Sequence, residues 1–171
     1  MSDTPDRIEW AVKLLNVQPD DRILEIGCGS GAAVPLVCRR LTTGSITAID
    51  RSGKMAKLAR DRNRSPISAG KALVEHCDLL AAKLPPASFN KIFLFNLNVF
   101  WMDPVAELDE IRRLLMPDGI FFIFHNPPPG AELTEYAEAI ARNLEKNHFR
   151  IGEPVLDIGV ASLCISSRPA I

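Results

Sequence analysis

Apolar residues along the chain follow two spacings, one typical of helices and one typical of buried strands. The i, i+3, i+4, i+7 spacing of an amphipathic helix first occurs at Ile8, Ala11, Val12 and Leu15 and predicts a helix over residues 5–15. Further stripes with helical spacing begin near Val34, Met55, Val105 and Leu133. Short apolar or β-rich runs predict strands at residues 22–27, 45–50, 72–76, 90–95 and 120–124, then at 155–158 and 163–166.

The order of these elements predicts the architecture. Regular alternation of strand and helix implies parallel strands joined by right-handed crossovers, with helices on both faces of the sheet. Pro117, Asp118 and Gly119 form a stop-and-turn signal before the fifth strand, which is apolar throughout, as a strand covered on both faces should be. The last two strands follow each other around Gly159 without a helix. We therefore expect an α/β, three-layer, mostly parallel seven-stranded sheet with a C-terminal antiparallel hairpin, in a single domain over residues 1–171.

Composition and charge narrow the class of protein. The 20 basic and 21 acidic residues give a net charge of −1, which offers no electrostatic support for general nucleic-acid binding. No apolar run reaches the ~18–20 residues of a membrane span, and the acidic start of the chain argues against a signal peptide. The four cysteines form no Cys-x-x-Cys pair and stand beside apolar residues, which favours a reducing cytoplasm and no metal site.

A glycine-rich loop follows the first strand and opens the second helix. Glycines there permit a tight turn and close approach of a ligand, and free N–H groups at a helix start attract polar ligand groups. Asp50 ends the second strand, where a carboxylate can accept both hydroxyls of an adenosine ribose. A purely structural turn remains an alternative, and Gly27-x-Gly29-x-x-Ala32 also fits a dinucleotide fingerprint.

Two motifs resemble those of the class I, Rossmann-like methyltransferases that use S-adenosylmethionine. The series Glu25-x-Gly27-x-Gly29-x-Gly31 looks like the first motif of that family. Ile49-Asp50-Arg51-Ser52, together with Met55, is similar to the second motif of that family. In that motif an acid accepts the ribose hydroxyls, and the residues after it flank the adenine.

The resemblance extends over nearly the whole chain. Cys77-Asp78-Leu79 is similar to the third motif, where an acid faces the adenine amino group, and the final hairpin is typical of the family. Asn90 stands where many members have Asp. The resemblance implies S-adenosyl-L-methionine as cofactor, bound by Glu25, Gly27, Cys28, Gly29, Gly31, Asp50, Arg51, Met55, Asp78, Leu79 and Asn96.

The carboxyl ends of the fourth and fifth strands are expected to face the methyl acceptor, because ligands of open α/β sheets bind at that edge. This position selects Leu97, Asn98, Phe100, Trp101 and Asn126 as the acceptor pocket. His125, the histidine at the carboxyl end of the fifth strand, is the candidate general base, and Asn96 is a second candidate catalytic residue.

The acceptor itself cannot be read from the sequence, because one fold serves many substrates. No long insertion or separate recognition domain is evident, which favours a small-molecule acceptor or a lid supplied by a partner. The charge balance and the absence of a long apolar run favour no nucleic-acid or membrane partner. Oligomeric state stays open. Two other functions remain alternatives: a non-catalytic binding or scaffold module, and a nicotinamide-dependent oxidoreductase.

Overall fold

The computed structural model describes residues 6–96, 104–128 and 130–170. Its helices are α1 (Asp6–Leu14), α2 (Val34–Cys38), α3 (Gly53–Arg62), α4 (Arg64–Ser68), α5 (Val105–Leu114) and α6 (Leu133–Lys146). Its strands are β1 (Arg22–Ile26), β2 (Ser45–Asp50), β3 (Ala72–His76), β4 (Phe89–Phe95), β5 (Leu115–His125), β6 (Phe149–Ile151), β7 (Val155–Asp157) and β8 (Ser162–Pro169).

All of these strands belong to one mixed sheet. Its order is β3-β2-β1-β4-β5-β8-β6, and β7 pairs with the first half of β8. Strands β1 to β5 are parallel, and β8 runs antiparallel to β5, β6 and β7. The order reverses between β1 and β4, so a crevice is expected at the carboxyl ends of these two strands. The predicted fold class is confirmed.

Two details differ from the sequence prediction. The sheet has eight strands rather than seven, because the three-residue strand β6 pairs with the end of β8. The predicted turn at Pro117 falls inside β5, where Leu115 pairs with Phe89 and Ile120 pairs with Lys91. The residues between Leu115 and Ile120 therefore form a bulge, and regular pairing resumes where the strand was predicted to begin.

The sheet separates two apolar layers. On one face, side chains such as Leu24, Ile92 and Phe121 pack with those of α5 and α6. On the other face, Ile23, Phe93 and Phe122 pack with α1, α2 and α3. The helices on both faces complete the expected three-layer arrangement and leave the carboxyl edge of the sheet to the connecting loops.

Candidate functional site

The glycine loop turns sharply at the end of β1. Gly27, Gly29 and Gly31 all have positive φ angles, of 70°, 53° and 70°. The backbone N–H groups of Gly27 and Cys28 donate to the Ile49 carbonyl, at 2.8 and 3.0 Å, and so attach the loop to β2. A Cβ built on Gly29 would meet no heavy atom within 4 Å, so this side of the loop borders open space. The loop is therefore fixed on one side and accessible on the other.

Asp50 holds the loop through its carboxylate. One oxygen, Oδ2, accepts the Gly29 N–H at 2.8 Å, and Oδ1 accepts the Ser52 N–H at 2.8 Å. The cap of α3 is Ser52, whose hydroxyl accepts the Met55 N–H, so Asp50 does not itself cap that helix. Asp50 is only 8% exposed. Each carboxylate oxygen has a second lone pair, so Asp50 retains capacity to accept bonds from a ligand.

Glu25 is a second buried carboxyl beneath the loop. It is 5% exposed, and its Oε2 has no hydrogen-bond partner among the described residues. Burial, together with the nearby charge of Asp50, raises the pKa of Glu25 to about 8. The same surroundings, burial first, raise the pKa of the Cys28 thiol well above its usual range. Cys28 is therefore a neutral thiol and no nucleophile.

Two residues of α3 and its C-cap brace the loop from the far side, and neither was predicted from the sequence. The Asn63 side chain is fully buried, and its Nδ2 donates to the carbonyls of Gly31 and Ala59, at 3.0 and 2.8 Å. Arg62 donates to the Ser30 hydroxyl at 3.2 Å. In the sequence, Asn63 is marked only as a polar residue at the end of an apolar helix stripe. That pattern does not indicate its hydrogen bond to Gly31, which lies 32 residues away.

The predicted adenine-side residues lie along the same edge of the sheet. Arg51 and Asp78 are exposed, Leu79 is buried, and Met55 is 37% exposed. Asp78 accepts the Leu80 N–H at 3.1 Å and caps a short 3₁₀ turn, Leu79–Ala81. The structure thus places these residues beside the ends of β2 and β3.

Asn96 joins the ends of β4 and β5. It has a φ of 53°, its N–H donates to the Phe124 carbonyl at 3.0 Å, and its Oδ1 accepts the Asn126 N–H at 2.7 Å. Asn126 in turn donates from Nδ2 to the Ala161 carbonyl, which attaches β5 to the loop before β8. The predicted acceptor residues Leu97, Asn98, Phe100 and Trp101 lie outside the described residues.

His125 is the last residue of β5 and is buried. Its ring stacks on Tyr136 of α6, with centroids 5.1 Å apart and planes 21° from parallel. Burial lowers the pKa of His125 below its usual 6.5, so the imidazole is neutral near pH 7. A neutral imidazole can accept a proton, and the stacking on Tyr136, which was not predicted, fixes the plane of the ring.

The described residues contain neither a membrane-spanning helix nor a cluster of metal ligands. No helix there is long and apolar enough to cross a membrane. Within the same part of the chain, no group of three or more His, Cys, Asp or Glu side chains has a metal-binding arrangement.

The fold and site define an α/β protein of the doubly wound class, in which ligands are expected at the carboxyl edge of the sheet. The sequence profile of a family described as "Methyltransferase domain" matches residues 24–123. A Bacillus subtilis protein named "Putative methyltransferase YrhH" is 29% identical over 136 residues, which are 80% of this chain and 72% of YrhH. The ubiquinone biosynthesis O-methyltransferase of Xanthomonas campestris is 29% identical over 151 residues, which are 85% of this chain and 62% of that enzyme.

A solved structure shows the same fold. The chain superposes with a TM-score of 0.77 on a SAM-dependent methyltransferase from Aquifex aeolicus, at 20% identity, over 94% of this chain and 88% of that one. The chain therefore belongs to the methyltransferase-domain family and is an enzyme that uses S-adenosylmethionine to transfer a methyl group. The resemblance to methyltransferases seen in the sequence is confirmed, in preference to a scaffold module or a nicotinamide-dependent oxidoreductase.

Proposed function

We propose that this enzyme methylates a small organic acceptor bound at the carboxyl ends of β4 and β5, with His125 as general base. The observation that carries the proposal is the position of a buried, neutral imidazole at the end of β5, on the same edge of the sheet as the glycine loop. Bound S-adenosylmethionine supplies a methyl carbon made electrophilic by its sulfonium.

The residues of the glycine loop fit that cofactor. Open space beside Gly29 allows a ligand to reach the backbone, and Asp50 can accept hydroxyl donors of a ribose. The Oε2 of Glu25, which lacks a partner among the described residues, suits a cationic group such as an ammonium. We assign the cofactor to Glu25, Gly27, Cys28, Gly29, Gly31, Asp50, Arg51, Met55, Asp78, Leu79 and Asn96.

On the acceptor side, we propose that His125 takes a proton from an acceptor hydroxyl as the methyl group is transferred. Loss of that proton makes the oxygen a stronger nucleophile. Asn96 positions the ends of β4 and β5 through its bond to the backbone of Asn126. We propose Leu97, Asn98, Phe100, Trp101 and Asn126 as the acceptor pocket.

Several observations support a small acceptor in a cytoplasmic enzyme. The Xanthomonas relative is named for O-methylation in ubiquinone biosynthesis, although this chain spans only 62% of its length. The net charge of −1 does not favour nucleic acid as acceptor. All four cysteines are free thiols, which accords with a reducing compartment.

The test is a mass-spectrometric screen for products heavier by one methyl, with phenols, catechols and hydroxy acids as acceptors. His125→Asn should lower kcat by roughly 10²–10⁴-fold, the usual contribution of a general base, and leave cofactor affinity unchanged. In wild type, kcat should fall as the pH drops below 6.5, where His125 becomes protonated.

His148→Asn is the matched control. His148 is an exposed histidine with a φ of 59°, a conformation that asparagine also adopts, so this variant should keep full activity. Full activity of His125→Asn would show that His125 is not the general base. Methylation of protein or RNA, but of no small molecule, would refute the proposed acceptor class.

A further inference from the structure

A large cleft opens at the amino edge of the sheet, opposite the methyltransferase site. Its volume is about 820 Å³, and it lies between the end of α1 and strands β4, β5, β6 and β8. This volume is within the ~300–1,000 Å³ of pockets that hold small ligands. Lys91 of β4 lines this cleft, and Asn96, the residue after β4, lies near the other site, so ~16 Å separate the two at ~3.3 Å per residue.

The cleft exists because one face of the last strands is uncovered in the described chain. α6 packs on the other face of β6 and β8, through residues such as Ile140 and Leu144. On the cleft side, α1 ends at Leu14, which itself lines the cleft. Leu14, Ile120 and Phe122 give this side an apolar wall.

Two arginines face each other at the mouth of the cleft. Arg150 of β6 and Arg168 of β8 are direct partners in the antiparallel register, and both line the cleft. Like charges placed directly opposite on neighbouring strands destabilise a sheet. Neither guanidinium has an ion pair or hydrogen bond within the described residues, and no acidic side chain is among those that line the cleft.

The remaining charge in the cleft is already neutralised. Lys91 pairs with buried Asp21 at 2.5 Å and also donates to the Asn16 carbonyl at 2.8 Å. Asp21 accepts the Gln18 N–H at 2.7 Å, which fixes the segment after α1. These bonds fix the Lys91 side of the cleft. The net charge of +2 that the cleft presents comes from Arg150 and Arg168.

We propose that this cleft is a second binding site, for a small amphipathic anion. A phosphate or carboxylate would lie between Arg150 and Arg168, whose planar guanidinium groups suit bidentate contact with such anions. Ser166, on the same face two residues before Arg168, supplies a hydroxyl beside them. The apolar body of the ligand would pack against Leu14 and Ile120.

The test uses calorimetric titration of the full chain with saturating S-adenosylhomocysteine, which blocks the cofactor site. The probes are 1-naphthyl phosphate, 1-naphthoate, inorganic phosphate and the uncharged 1-naphthol. We expect at least one of the two naphthyl anions to bind more than tenfold more tightly than both 1-naphthol and inorganic phosphate. Arg150→Gln/Arg168→Gln should weaken that anion at least tenfold.

The matched control is Arg39→Gln/Arg142→Gln, which removes the same charge from two exposed arginines elsewhere and should leave the affinity unchanged. Arg150→Gln alone should melt at or above the wild-type temperature without ligand, because it removes a like-charge pair. Equal affinity of the wild type and the double cleft variant would overturn the proposal, as would no binding of either naphthyl anion at millimolar concentration.

Discussion

Replacing Asp50 by alanine should destabilise the fold as well as weaken cofactor binding. The carboxylate accepts the N–H groups of Gly29 and Ser52, both at 2.8 Å, in a site where it is 8% exposed. Hydrogen bonds to a charged group contribute ~1.5–3 kcal/mol each, and loss of a shared acceptor is less than additive. We therefore expect a loss of about 2–4 kcal/mol in the free energy of unfolding, or roughly 5–15 °C in Tm for a chain of this size.

Urea denaturation and calorimetric titration with S-adenosylhomocysteine measure the two effects separately. Asp50→Asn retains one acceptor oxygen but turns an amide toward a backbone donor, so it should fall between wild type and Asp50→Ala in stability. Asp50→Ala should also weaken the ligand by about 2–4 kcal/mol, or roughly 30- to 700-fold in Kd.

Asp118→Ala is the control, because Asp118 is an exposed acid in the β5 bulge, away from the glycine loop. Asp118→Ala should change neither the free energy of unfolding nor the Kd for S-adenosylhomocysteine. A wild-type urea midpoint in Asp50→Ala would show that the two backbone bonds do not hold the loop, and this result would refute the reasoning.

Two further variants examine the loop and the acid beneath it. Glu25→Gln should gain stability relative to wild type as the pH rises from about 4.5 to about 8, because the buried wild-type carboxyl keeps its proton there while the unfolded chain releases it. Parallel curves of Tm against pH for the two proteins would contradict the raised pKa. Gly29→Ala should fold with a cost of ~1–2 kcal/mol for its positive φ and should lose ligand affinity, because its Cβ enters the open side of the loop. Gly31→Ala should lose more stability, because its Cβ would lie 2.6 Å from Asn63 Nδ2; equal melting of both variants would exclude this difference.

The strands β1 to β5 could be predicted from the sequence because each is an apolar or β-rich run bounded by turn residues. β3 has the predicted limits, Ala72–His76, and regular pairing in β5 resumes at Ile120 as predicted. β6 could not be predicted, because a three-residue segment with Arg150 at its centre has no local strand signal. It is a strand only because β8 returns beside it, which depends on contacts distant in the sequence.

In the candidate site, too, local features could be predicted from the sequence and contacts between separate elements could not. Sequence predicts the glycine loop and Asp50 because local spacing places glycines after a strand and an acid at the end of the next. It does not predict Asn63 or Tyr136, whose contacts with the Gly31 carbonyl and the His125 ring arise when separate elements pack. It also predicts Asp50 as a ligand residue, with a helix cap as the alternative, whereas the structure gives its carboxylate the Gly29 and Ser52 N–H groups as partners.

The two acids of the loop have opposite effects on the fold, and together they predict a preference for a ligand that carries a positive charge. Asp50 stabilises the loop by accepting two backbone N–H groups, but its charge, added to burial, disfavours ionisation of Glu25. A neutral ligand would leave this repulsion unchanged. A ligand with a positive group near Glu25 would favour the ionised carboxyl, so binding should release a proton below about pH 8. Selectivity for a cationic nucleoside such as S-adenosylmethionine then follows from the two carboxyl groups together. The fold requires the charged carboxylate of Asp50, whereas it disfavours ionisation of Glu25 until a cation binds.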